Sequence, residues 1–249
     1  MHSGAGRYRR LVADGGATAL ADEIVGICTR TLPPLAGAIL HGSLATGAFV
    51  PGRSDVDVLA IVDEQPSDDE LSALVAAVEG LRGHAPVPLD LCVVTTGTAA
   101  VPSPAPRVEI YVGLDPGDER RLEVEMGRPR RDLVVEFSVC RAQGRSLAGP
   151  QPADLIGPVP DDWVMEVGAE VLDTWQAQEH DPDMAPFMVF TTCRIWRFAE
   201  ERVHCPKPDA VRWALDRDPS LTAAERALTG REPTEGEVRD LMTRVRRMI

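Results

Sequence analysis

No stretch of the 249-residue chain reaches the roughly 18 uncharged apolar residues that a membrane-spanning helix needs, and Met1 to Asp22 contains no continuous apolar segment of the kind that directs Sec export. The expectation is a cytoplasmic protein that does not enter a membrane. Cysteine is sparse: Cys28, Cys92, Cys140, Cys193 and Cys205 are odd in number and widely spaced, with no C-x-x-C pair. That excludes a disulfide frame or a structural zinc cage as the organising element. Cys193 with His204 and Cys205 lacks a fourth partner at finger-like spacing, so these thiols are expected to be buried and reduced. No internal repeat is visible.

Lysine is nearly absent. Of 26 basic residues, 25 are Arg and one is Lys, Lys207. Arg is planar and forked, whereas Lys is a compact point charge that suits phosphate oxygens, so the lone lysine hints at a phosphate contact. Acid is in excess, with 39 Asp and Glu giving a net charge of −13. Such a field opposes DNA or RNA and favours a cationic small molecule as guest.

With 44% hydrophobic residues the chain is long enough for one large domain or two ordinary ones. Thr18 to Leu32 places Leu20, Ile24, Ile27 and Cys28 on one helical face before Pro33-Pro34. The short run Ala38 to Leu40 meets Gly42-Ser43, and Val56 to Val62 reads as a buried strand. Ser67 and Glu70 form a capping box for a helix whose apolar face runs from Leu71 to Leu81 and which Gly83 follows. Leu89 to Thr95 and Val108 to Leu114 read as further strands.

Beyond these, helical recurrence dominates: Leu133 to Leu147, Trp163 to Trp175, Met184 to Val203, Asp209 to Arg217, Thr222 to Leu228 and Glu235 to Met248. The breaker cluster from Gly149 to Pro160 marks a boundary. The expected architecture is an α/β domain at 1–157, with a small mixed sheet flanked by helices, and an all-α helical bundle at 158–249.

The chemistry resides in Gly42-Ser43-Leu44-Ala45-Thr46-Gly47 followed, after six residues, by Ser54-Asp55-Val56-Asp57. Carboxylates at i and i+2 of a strand emerge on one face and can converge on a cation. Two acids entering an apolar strand are costly unless a positive charge compensates them, and hard oxygen donors suit Mg²⁺. Gly42-Ser43, where strand turns to helix, offers backbone N–H groups and a hydroxyl to phosphate oxygens, although Ser43 would also serve as a plain helix cap. Asp90 is a third carboxylate in an apolar run, and it faces Asp55 and Asp57 if the second and third strands are neighbours. Together these residues describe a site for a metal-bound nucleoside triphosphate.

The signature resembles the nucleotidyltransferase superfamily related to DNA polymerase β. The whole chain, over roughly Ile39 to Leu228, is similar to the aminoglycoside (3″)(9) adenylyltransferases, the streptomycin and spectinomycin resistance enzymes. The narrower likeness rests on Leu147-Ala148-Gly149-Pro150, Pro158-Val159-Pro160, Leu172-Asp173-Thr174-Trp175, Cys193-Arg194-Ile195-Trp196, Pro206-Lys207 and Arg212-Trp213-Ala214-Leu215, in that order.

The resemblance implies Mg²⁺-dependent transfer of AMP from ATP to a hydroxyl of an aminoglycoside-type antibiotic, with release of pyrophosphate, in the cleft between two domains. It implies two magnesium ions held by Asp55, Asp57 and Asp90, and a triphosphate contacted by Gly42, Ser43 and Ser54 with Arg194 and Lys207. Trp175 then borders the acceptor, with Asp181 and Asp183 as candidate amine or hydroxyl partners. The family's catalytic base is a Glu where this chain has Asp90, one methylene shorter. A family Trp that stacks on streptomycin is matched by Leu114.

The implied partners are ATP and a cationic small molecule, with no nucleic acid or membrane, and the protein is expected to act as a monomer. Two alternatives stay open: a nucleotidyltransferase with another small-molecule, protein or RNA acceptor, and a nucleotide-binding regulator without catalysis.

Overall fold

The aliphatic runs Val56–Val62 (β2) and Leu89–Thr95 (β3) lie side by side in parallel, at the centre of one sheet. A computed structural model describes the backbone of residues 3–118, 122–178 and 182–249, and the side chains of these residues from Gly15 onward. The chain divides into two compact units, Met1–Val159 and Pro160–Ile249.

In the first unit, a helix α1 (Ser3–Thr31) leads into β1 (Leu35–His41) and the single-turn helix α2 (Gly42–Ala45). Helix α3 (Asp68–Glu79) then crosses between β2 and β3, and α4 (Thr96–Ala100) follows β3. Next come β4 (Arg107–Leu114), β5 (Leu122–Pro129), α5 (Leu133–Gln143), β6 (Arg145–Ala148) and α6 (Pro152–Leu155). The sheet order is β5-β4-β3-β2-β1-β6, mixed because β2 and β3 are parallel while their other pairings are antiparallel.

The period of two sorts the strand residues between two cores. Val56, Val58, Ala60, Leu89, Leu91, Ile110, Val112 and Leu114 pack under α1 and α3, joining Leu20, Ile24, Leu71 and Leu74. The opposite face, with Ile39, Leu59, Ile61, Cys92 and Val94, packs against Leu133, Phe137 and Cys140 of α5. Asp57 and Asp90 share the face that α5 covers, at the end of their strands that its apolar residues leave open.

Sequence and structure part in three places. The helix after Ser67 ends at Glu79, before Gly83, with Gly80 as its C-cap. Leu133 to Leu147 is not one helix: α5 stops at Gln143, and Arg145–Ala148 runs antiparallel to β1 as β6. Gly144 makes the change of direction, because a Cβ there would meet Cys140 O at 2.4 Å and Ile39 Cγ2 at 2.7 Å. The edge strand β5 lies where the sequence shows no apolar run.

The second unit comprises α7 (Asp161–Ala177), a 3₁₀ turn at Pro182–Met184, α8 (Ala185–Glu201), α9 (Lys207–Arg217), α10 (Thr222–Leu228) and α11 (Glu235–Arg246). Its core gathers Leu172, Val189, Trp196, Val211, Trp213, Leu241 and Val245, with the rings of Trp196 and Trp213 edge to face at 5.0 Å. All five cysteines are buried and free, and burial pushes the Cys28 and Cys193 thiols up to about 12. His204 stacks on Phe198, and burial, then Arg194, pushes its pKa down to about 4. None of the described helices is long and apolar enough to cross a membrane.

The capping box is formed in both directions: Ser67 Oγ accepts from Glu70 N–H, and Glu70 Oε2 accepts from Ser67 N–H at 2.7 Å. Ser67→Ala is expected to cost about 1 kcal/mol in urea unfolding.

Candidate active site

The acidic site is built by strand register. His41, Asp57, Asp90, Gly113 and Glu123 are successive cross-strand partners from β1 to β5, so one row perpendicular to the strands carries most of the polar groups. Asp55, two residues before Asp57, adds a third carboxylate on the same side. Oxygens of Asp55, Asp57 and Asp90 lie within 4.8 Å of one another.

Beside them β1 breaks into α2 at Gly42, whose φ of +65° is one that an L side chain rarely adopts. A Cβ at this position would lie 1.9 Å from Asp57 Oδ2, so glycine is required both by the turn and by the carboxylate behind it. The turn is closed by Thr46, whose hydroxyl donates to Gly42 O at 3.0 Å. Ser43 follows with its Oγ buried and without a hydrogen-bond partner. An orphaned buried hydroxyl is costly, and an oxygen-rich ligand would satisfy it. Three carboxylates and a hydroxyl are hard-oxygen groups, so these residues fit Mg²⁺ with a phosphate ligand.

Burial raises the pKa of Asp90. A hydrogen bond from Tyr111 works against that, and the neighbouring Asp55 charge adds to the rise. On the β4–β5 side opens a cleft of about 210 Å³, lined in part by Arg53, Asp55, Asp90, Tyr111, Asp115 and Glu123. Its carboxylates give a negative field suited to a cationic guest.

Residues 21–111 match the family model for the nucleotidyltransferase domain. The chain is 28% identical over 225 residues to an aminoglycoside (3″)(9) adenylyltransferase of Klebsiella pneumoniae, covering 84% of each chain. A protein of the same name from Rhizobium radiobacter is 31% identical over 109 residues, 41% of this chain and 39% of that one. The crystal structure of spectinomycin adenyltransferase AAD(9) from Enterococcus faecialis with ATP and spectinomycin superposes with a TM-score of 0.72 at 15% identity, over 90% of this chain and 96% of that one. That likeness establishes the fold.

Within the first unit the structure brings Asp55, Asp57 and Asp90 together next to Gly42 and Ser43. Ser54 lines the cleft beside Asp55, and its hydroxyl accepts from Val50 N–H at 3.0 Å, closing the loop before β2. Leu114 lies at the wall of the cleft with Asp55 and Asp90. It is 1% exposed and packs in the core under α1 and α3, while Tyr111 and Gly113 of the same strand face the acids. Sequence reasoning missed Tyr111 and Glu123; the alternation of β4 carried the signal once its pairing with β3 was known.

In the second unit, Lys207 is the first residue of α9, and its Nζ lies 4.6 Å from the centre of the Phe187 ring. Phe187 also meets the ring of Trp175 edge to face at 5.9 Å, so Trp175, Phe187 and Lys207 form one group. Phe187 was not singled out in the sequence, although a phenylalanine 40% exposed at the start of α8 is a surface signal. Arg194 lies on α8 close enough to His204 and Cys205 to affect both. Asp183 belongs to the 3₁₀ turn, and Asp181 lies outside the described residues.

Two expected outcomes follow from this geometry. Gly42→Ala must displace the Asp57 carboxylate, so divalent-cation affinity measured by calorimetry is expected to fall by about 10- to 100-fold. Glu136 of α5 has its pKa raised from 4.5 to about 7, chiefly by burial and then by Asp132. The folded state therefore holds this proton more tightly than the unfolded chain. Its contribution to stability is complete below about 4.5 and is lost as pH rises through about 7. Glu136→Gln should accordingly gain stability relative to the parent between pH 5 and pH 8, read from urea midpoints.

Proposed function

We propose that the protein is an O-adenylyltransferase that moves AMP from ATP to a hydroxyl of an aminoglycoside-type antibiotic, spectinomycin or streptomycin, and releases pyrophosphate. The observation that carries this is the acid trio within 4.8 Å beside a glycine-serine turn whose hydroxyl is buried and unbonded. The named relatives and the match to the nucleotidyltransferase domain support the reaction class. The cleft acids and the −13 charge support a cationic acceptor.

Asp55, Asp57 and Asp90 would hold Mg²⁺, two ions in this proposal. The metal would supply charge stabilisation for the α-phosphate and for the departing pyrophosphate. Gly42 lets the triphosphate approach the backbone, and the Ser43 hydroxyl donates to it. Asp90 takes the proton of the acceptor hydroxyl, whose oxygen bonds to the α-phosphorus as the bond to pyrophosphate breaks. A carboxylate whose pKa is raised by burial is a better proton acceptor than an exposed one. Arg194 and Lys207 are assigned to the nucleotide, and Trp175, Asp181 and Asp183 to the acceptor. The acceptor stays in solution, and a protein of this kind is proposed to work in the cytoplasm as a monomer.

A second acceptor class is kept open by one observation. Position 114 is an aliphatic Leu, so an aromatic stacking platform of the streptomycin type is not supplied there. Pyrophosphate release from Mg·ATP should therefore be measured with spectinomycin, streptomycin and other hydroxylated aminoglycosides in parallel. Release dependent on at least one of them, and abolished in Asp57→Asn with the fold retained by circular dichroism, is the expected result. No release with any aminoglycoside would remove the antibiotic as acceptor, and full activity in Asp57→Asn would remove the metal assignment.

A further inference from the structure

Taking Asp90 as the base, as proposed above, we infer that Tyr111 is a positioning residue that orients the Asp90 carboxylate for proton transfer. The Tyr111 hydroxyl donates to Asp90 Oδ1 at 2.7 Å, across the β3–β4 pairing. This bond takes one lone pair of Oδ1 and leaves the remaining lone pairs of the carboxylate for the cation and for the acceptor's proton. A carboxylate on a short side chain otherwise rotates about its last bond, and an aspartate has one methylene fewer than a glutamate with which to find the reacting group. Fixing that rotation is what positioning contributes to a rate.

The contact depends on a local device in β4. Asp90 is paired not with Tyr111 but with Gly113, two residues further along the same face. The phenol must therefore lie along the strand over position 113 to reach the carboxylate. A Cβ at Gly113 would come within 2.9 Å of the Tyr111 hydroxyl, so glycine there opens the path. The ring is also held from its face: the Arg130 guanidinium lies 4.5 Å from its centre. Arg130 is in turn fixed by its ion pair with Asp132 and by its backbone N–H donating to Pro106 O at 2.8 Å. Tyr111, Gly113 and Arg130 thus form one support behind the base.

The test compares the parent enzyme with Tyr111→Phe, Asp90→Asn and the double variant. Removing a hydrogen bond to a charged group is expected to lower kcat in Tyr111→Phe on the order of 10- to 100-fold. The KM for ATP, the KM for the acceptor and the calorimetric affinity for Mg·ATP should each stay within about twofold of the parent, as expected for a group that acts on the transition state alone. The double variant should be no slower than Asp90→Asn, because the hydroxyl acts only through the carboxylate.

A second arm needs no turnover. The chain has two tyrosines, Tyr8 and Tyr111, so in a Tyr8→Phe background the tyrosine doublet in ultraviolet resonance Raman reports Tyr111 alone. A donor signature that is lost in Tyr8→Phe/Asp90→Ala is the expected result, and a doublet insensitive to Asp90 would overturn the contact.

Parent kcat in Tyr111→Phe overturns the proposal and leaves Asp90 as base. Losses that multiply in the double variant overturn it as well, because they would mark an independent structural effect. Parent kcat in Asp90→Asn removes the base assignment and the proposal with it.

Discussion

Carboxylates within 4.8 Å of one another repel, and the first unit is arranged around holding three of them there. At an effective dielectric near 20, two such charges 4 Å apart oppose each other by about 4 kcal/mol. The sheet supplies the restraint: Asp57 and Asp90 are register partners in the parallel β2–β3 pair, each continuous with a run of buried aliphatic residues. Neither strand can slide to relieve the repulsion without moving its apolar set from one core to the other. The repulsion therefore becomes a standing attraction for a divalent cation, and burial of the strands is what maintains it.

The two faces of the sheet divide the work. Under α1 and α3 the strands bury Val58, Leu91, Ile110 and their neighbours, which fixes the register. The α5 face is apolar only part-way, through Ile39, Leu59 and Cys92, and then turns polar at the row running from His41 to Glu123. Glycine is required once in the row and once directly beside it. At Gly42 the missing side chain makes room for Asp57, and at Gly113 it makes room for the Tyr111 phenol. In both cases a polar group reaches its place because the neighbouring residue has no Cβ, a steric requirement that no hydrophobic pattern expresses.

This explains what the sequence disclosed and what it withheld. β2 and β3 were legible to the residue because continuous branched runs bounded by turn residues have few other structures open to them. The trio followed once those strands were made neighbours. β5 was invisible because an edge strand half exposed along its length, with Glu123, Glu125 and Arg128 among its residues, carries little apolar signal. β6 was absorbed into a helix because Leu147 continues the spacing of α5, and only the crowding at Gly144 breaks it. Leu114 was placed at the site by likeness of position. Which of Gly113 and Leu114 faces the acids is decided by β3–β4 register, a non-local fact. Tyr111 stayed hidden for the same reason, since its partner lies 21 residues away on another strand.

The distribution of basic residues extends the argument to the second unit. Its arginines pair with acids across helices: Arg246 grips Asp173 through Nε at 2.7 Å and through Nη2 at 3.0 Å, and Arg217 meets Glu201 at 2.8 Å while its guanidinium lies over the Trp213 ring. These are uses for a planar fork, in bidentate pairing and stacking. Lys207 begins α9, where the helix presents its positive end. A cation at that position is disfavoured by the backbone dipoles by some tenths of a kcal/mol, up to about 1 kcal/mol. An anion bound near it would reverse the sign, since the ammonium and the first N–H groups of the helix would then act together. At this helix start the ammonium also lies 4.6 Å from the centre of the exposed Phe187 ring, a cation–π contact that offsets the dipole cost.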